Sequence, residues 1–236
     1  QTDGDTQPNT WPQRSRNAAT KYDYEQAKAI CQQAADEFER AGRDRDASAA
    51  HHHAGMYAYR QGDWDEAEAA YRRSLAIDEH TGDEQGSART LNNLSAVANS
   101  RGDHDEAVDL LIDSIGIKER LGDERGVAAS YHQLGIVASA RGDHVAAEDW
   151  YRRSFAAKGA LGDDHGQAIS CLALCLEVRE QEDHEGSQSW LSEAMQALDR
   201  LGDVNATINL GRDAEHRELP DEALALYRKA IEIGRT

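Results

Sequence analysis

The chain has 236 residues, 39% of them hydrophobic, and 44 acidic against 26 basic side chains give a formal net charge of −18. Such a surface repels nucleic-acid phosphates and anionic lipid, which argues against a nucleic-acid partner. No stretch approaches the ~20 apolar residues of a membrane span, so no membrane partner is expected either.

Residues 1–22 are polar, carry Pro8 and Pro12 and show no period, so they read as an N-terminal tail or linker in which Trp11 alone could dock. From Asp23 the pattern turns helical. Tyr24, Ala27, Ile30, Cys31, Ala34 and Ala35 share one stripe, and the stripe returns 40 residues on at Trp64, Ala67, Ala70, Tyr71, Ser74 and Leu75. Two markers punctuate it. Gly62-Asp63, Gly102-Asp103 and Gly142-Asp143, with the degraded Glu182-Asp183, form one series at 40-residue spacing. Gly82-Asp83, Gly122-Asp123, Gly162-Asp163 and Gly202-Asp203 form a second in antiphase. Glycine ends one helix in the left-handed conformation and aspartate caps the next. Asp63 and Glu66 also have capping-box spacing. Two stops and two starts per period predict two antiparallel helices per repeat. The expectation is one elongated array over 23–236: a lone leading helix (23–41), then pairs over 42–81, 82–121, 122–161, 162–201 and 202–236. A fixed period of this size marks a repeat architecture, stabilised by stacking of neighbours.

Within the repeats, a leucine-like position precedes a small residue in the first helix: Ala54-Gly55, Leu94-Ser95, Leu134-Gly135, Leu174-Cys175 and Leu210-Gly211. The second helices carry Ala67/Tyr71/Ser74, Ala107/Leu111/Ser114, Ala147/Tyr151/Ser154, Ser187/Leu191/Ala194 and Ala223/Tyr227/Ala230. This arrangement resembles the tetratricopeptide repeat, in the longer-period form similar to kinesin light chains and bacterial peptide sensors. The resemblance implies an all-α fold, a right-handed α-solenoid of antiparallel helix pairs, with ligands on the concave face lined by the first helices.

The residue before each of these first-helix pairs is then expected in the groove: His53, Asn93, Gln133, Ala173 and Asn209. Three are carboxamides, which both donate and accept and so suit the peptide units of an extended chain. One residue earlier run His52, Asn92, His132, Leu172 and Ile208, from polar to apolar, while Arg89, Arg179 and Arg212 offer positive charge to a carboxylate. Consecutive helical residues point ~100° apart, so His51, His52 and His53 cannot converge on one metal ion. Asp103-His104, Asp143-His144 and Asp183-His184 recur because the cap recurs, and no phosphate-binding or hydrolase motif is present. Neither a metal nor a cofactor is expected. Cys171 and Cys175 occupy packing positions and Cys31 is remote, which indicates a reduced, cytoplasmic protein. The function expected is a non-catalytic scaffold that binds a protein or peptide, as an extended segment or helix, in its groove. The alternatives are a ligand-sensing regulatory arm of a larger signalling or transcription protein, or a self-assembling array. Self-association is expected through Leu224, Ile231 and Ile233 on the last helix.

Overall fold

The structure is a computed structural model that describes residues 10–20, 23–217 and 219–235. The chain divides into two compact units where the sequence suggested one array, Gln1–Leu121 and Gly122–Thr236. Unit 1 contains α1 (Trp11–Ala19), α2 (Tyr24–Arg40), α3 (Asp44–Gln61), α4 (Trp64–Thr81), α5 (Glu84–Arg101) and α6 (His104–Leu121). Unit 2 contains α7 (Glu124–Ala140), α8 (His144–Ala160), α9 (Asp164–Glu180), α10 (His184–Leu201), α11 (Val204–His216) and α12 (Pro220–Ile233). The described residues include no strand. In each unit helices pack as pairs, α3 with α4 and α5 with α6 in the first, α7 with α8, α9 with α10 and α11 with α12 in the second. The second helix of one pair then packs on the first helix of the next, as α4 does on α5 and α8 on α9.

The expected N-terminal linker contains a helix. Trp11, Ser15 and Ala18 stand 40 residues ahead of His51, Gly55 and Ala58, so α1 is a degenerate first helix and α2 is its partner, not a lone leading helix. Pro12 falls in the first turn, where its missing N–H costs nothing. Ser15 and Ala18 are buried, and the Trp11 ring meets Phe38 of α2 edge-on at 6.3 Å. The remainder of that segment, residues 1–9 and 21–22, lies outside the described residues.

The helix ends follow the two Gly-Asp series. Asp63, Asp83, Asp123, Asp143, Asp163 and Asp183 each accept a hydrogen bond from the backbone N–H three residues on. Gly62, Gly82 and Gly102 have φ of 81°, 71° and 89°, where a side chain is disfavoured. Glu182 sits at φ 63° in place of the usual glycine, a locally strained copy of the motif. The capping box at Asp63 is only half made, because the Glu66 carboxylate turns instead to Lys28 Nζ on α2, 2.5 Å away.

The core is a set of thin layers rich in alanine, with small residues of the first helices set against large ones of the second. Each of Gly55, Gly135 and Gly211 faces the tyrosine 16 residues on. Where Leu111 and Leu191 replace tyrosine, Ser95 and Cys175 replace glycine. Volume is thus conserved across the contact.

Candidate functional site

In unit 1 the first helices α3 and α5 bring the candidate residues side by side, but at different depths. His51 is buried with Nε2 2.6 Å from Glu39 Oε1. His52 is 8% exposed and spans two neighbours on α5: its Nδ1 is 3.2 Å from Thr90 Oγ1 and its Nε2 is 3.2 Å from Asn93 Nδ2. Its ring also meets Tyr71 edge-on at 5.4 Å. His53 is half-buried against Trp11, with ring centroids 5.6 Å apart. Three consecutive histidines therefore face three different environments, as a 100° step requires.

Burial pushes the His52 imidazole down to about 3, with Arg89 and His53 adding to the effect. Burial likewise lowers His53, reinforced by Arg89 and Arg16. Both rings are neutral at pH 7. Arg89 is exposed and makes no ion pair among the described residues. Asn93 is half-buried, and Asn92 accepts from Lys118 Nζ at 3.3 Å through Oδ1. His52 is thus a structural histidine beneath the face, while His53, Arg89 and Asn93 lie on it.

In unit 2 the His132 ring lies 5.0 Å from that of Tyr151, and burial, with Lys158 and Arg217, brings it down to about 3. Its Nδ1 is buried without a hydrogen-bond partner. Gln133 is half-buried and Asn209 exposed, and neither amide is hydrogen-bonded to another described residue. Arg212 is exposed without an ion pair among the described residues. Arg179 is different: its Nη1 lies 3.4 and 3.5 Å from the two carboxylate oxygens of Glu222, so an internal acid takes up its charge. Leu172 and Ala173 are buried, which leaves the middle of this face apolar.

Several polar groups escaped the sequence pattern. Arg16 of α1 joins Arg89 near His53, and Thr90 is buried beside His52. Glu177 is 1% exposed and binds His144 Nδ1 at 2.9 Å, in the register held by Val97 and Val137. A charged residue at an apolar repeat position was the available signal. The Asp-His pairs separate in space: Asp143 and Asp183 cap helices, whereas His104 Nδ1 pairs with Asn99 Oδ1 at 2.9 Å. Cys171 and Cys175 are fully buried, with thiols pushed up to about 12, which leaves no thiolate for chemistry. Among the described residues no helix is long and apolar enough to cross a membrane.

No curated protein sequence matches this chain. Among solved structures it is similar to BtubC (BKLC) from P. vanneervenii, with TM-score 0.67 and 18% identity over 90% of this chain and 91% of that one. A Rap protein complexed with Competence and Sporulation Factor gives TM-score 0.69 at 12% identity, over 95% of this chain and 72% of that one. The nearly identical TPR-like repeats of a Podosopora anserina kinesin light chain give 0.65 at 17% identity, over 79% and 92%. These likenesses show the fold. The tetratricopeptide repeat family model matches residues 21–80 and 86–160, more than half of the chain and the segments in which the paired glycine and tyrosine positions recur. With helix pairs, caps and small-to-large contacts all in that register, the chain belongs to the tetratricopeptide repeat family.

Proposed function

We propose that the protein is a non-catalytic scaffold whose units each present a first-helix face that holds an extended peptide segment of a partner. The observation that carries this is a carboxamide at one repeat position on three first helices, Asn93, Gln133 and Asn209. Two of them, Gln133 and Asn209, have no hydrogen-bond partner among the described residues. An amide that both donates and accepts matches the N–H and C=O of a peptide backbone and asks for no particular side chain. Arg89 and Arg212, exposed and without an acid partner, stand one turn or less from that position and supply charge for a carboxylate. The fold likeness to a Rap protein complexed with Competence and Sporulation Factor supports the same reading, and also a setting as the sensing arm of a regulator.

The test is selection of a random-peptide phage library against the immobilised protein. We expect an enriched family of sequences whose binding weakens with Asn93→Ala, Gln133→Ala or Asn209→Ala. No enrichment, or peptides indifferent to all three substitutions, refutes the proposal.

A further inference from the structure

A buried carboxylate gives direction to a hydrogen-bond chain that ends on the unit 1 face. Asp78, at the end of α4, is 3% exposed and accepts from the Ser48 hydroxyl. Burial raises its pKa, joined by the Asp83 charge and opposed by the Ser48 hydroxyl and the Arg89 charge. Ser48 gives its single proton to Asp78, so its oxygen accepts from Ser74 Oγ at 3.0 Å, and Ser74 in turn accepts from Thr90 Oγ1 at 3.4 Å. The Thr90 oxygen is then left to accept, and the group beside it is His52 Nδ1 at 3.2 Å. A neutral ring with its proton on Nδ1 has a lone pair on Nε2. Facing that lone pair at 3.2 Å is Asn93 Nδ2, which must donate. The network thereby fixes which way the amide points, and Asn93 Oδ1 is directed away from His52.

We infer that His52 is a positioning residue that presents Asn93 as a hydrogen-bond acceptor, so the unit 1 face selects the backbone N–H donors of a bound peptide. This rests on the peptide-binding function proposed above; the orientation of the amide does not. Arg89, four residues before Asn93 on α5, is donor-only, so acceptor and donor lie one turn apart on the same helix. A peptide unit offers the complementary pair.

Unit 2 supplies an internal comparison, because the residues 80 positions on reverse the chain. Lys158 replaces Asp78 and donates to Ser170 Oγ, in the place of Thr90, at 3.0 Å. Ser170 passes its proton to the Gly166 carbonyl at 3.1 Å instead of organising a histidine. His132, in the place of His52, keeps an unpartnered Nδ1, and Ala173 occupies the position of Asn93. Exchange of the buried acid for a buried base therefore coincides with loss of both the paired histidine and the amide it would hold. The device belongs to unit 1.

Two measurements decide the matter. Long-range proton–nitrogen NMR of the labelled protein at pH 7, with the His52 signal identified by its loss in His52→Gln, should show the Nδ1–H tautomer. Thr90→Val should turn that pattern into a mixture. An Nε2–H tautomer or an imidazolium at His52 in the native protein overturns the inference whether or not any peptide binds. A peptide recovered by phage selection is then resynthesised with single N-methylated backbone amides. One such change should weaken binding to the native protein roughly tenfold, and binding to His52→Phe less than about threefold, because Asn93 is free to turn there. Equal losses on both proteins remove the positioning role while peptide binding stands. A selection that yields no peptide refutes the function proposed above, and the tautomer alone then decides the orientation.

Discussion

A Cβ placed on Gly135 would lie 2.5 Å from Tyr151 Cε1, closer than real side chains approach. The same intimacy joins Gly55 to Tyr71 and Gly211 to Tyr227, at 2.8 and 2.6 Å for the nearest ring atoms. Tyr151 is 2% exposed, so the ring has nowhere to retreat. Overpacking of this kind costs about 1–3 kcal/mol, against a helix-propensity gain of about 1 kcal/mol for alanine over glycine. Gly135→Ala is therefore expected to lower stability in urea denaturation. Adding Tyr151→Leu should recover part of the loss, following the Ser95/Leu111 and Cys175/Leu191 pairs. A neutral or stabilising Gly135→Ala would show that the ring yields freely.

The desolvated histidines make stability depend on pH. His52 and His132 titrate at about 3 in the folded chain, against about 6.5 when unfolded. Between those values the unfolded state binds more protons, so stability falls as pH falls. From pH 7 to pH 5 the loss is roughly 2 kcal/mol for each ring. Asp78 acts in the opposite sense: its raised carboxyl favours folding at low pH and loses that contribution as pH rises above the ordinary carboxylate value of about 4. The histidines outnumber it in this window. Urea titrations at pH 5, 6 and 7 should show a steep decline for the native chain and a shallower one for His132→Leu. Equal slopes would mean that the His132 ring is not desolvated in solution.

What the sequence disclosed follows from what a period can encode. Caps and layer contacts recur within one repeat, so the Gly-Asp series and the Gly135–Tyr151 type of contact were legible. Helix α1 was not, because Pro8, Pro12 and a polar composition hid the register of Trp11, Ser15 and Ala18. His52 was placed on the face when it lies under it, since its partners Thr90 and Asn93 come from the next repeat, 38 and 41 residues away. Arg179 was read as open, but its acid partner Glu222 lies 43 residues on, across the shortened last repeat. Contacts between different positions of successive repeats leave no periodic trace.

The carboxamides should separate into two classes. Gln133→Ala and Asn209→Ala remove amides without partners among the described residues and should leave thermal stability unchanged, while each weakens binding of a peptide held by unit 2 by about 1–3 kcal/mol. Asn93→Ala should weaken binding of a peptide held by unit 1 to a similar degree and also lower stability by about 1 kcal/mol, because it leaves His52 Nε2 unpaired. Titration of the selected peptide beside a thermal melt of each variant separates the two effects. Identical melts for all three would place Asn93 outside the His52 network.

The last helix carries the expectation of self-association, now with sharper residues. Leu75, Ile115, Phe155 and Met195 are half-buried at one position of successive second helices, but Ile231 at that position is 55% exposed. Leu224, two turns earlier on the same helix, is 48% exposed and borders a cleft of about 540 Å³ with Glu215, Pro220, Ala223 and Tyr227. Ile233, expected on the same outer face, instead packs against the unit 2 core around Leu210 and Leu226. Burying one such side chain contributes about 1.5–3 kcal/mol, enough for two or three together to favour a dimer at high concentration. Sedimentation of the native protein is therefore expected to show concentration-dependent association that Leu224→Glu with Ile231→Glu abolishes without lowering the melting temperature. Ile233→Ala should do the reverse, reducing stability and leaving association intact. A native protein that stays monomeric at high concentration would refute self-association through α12.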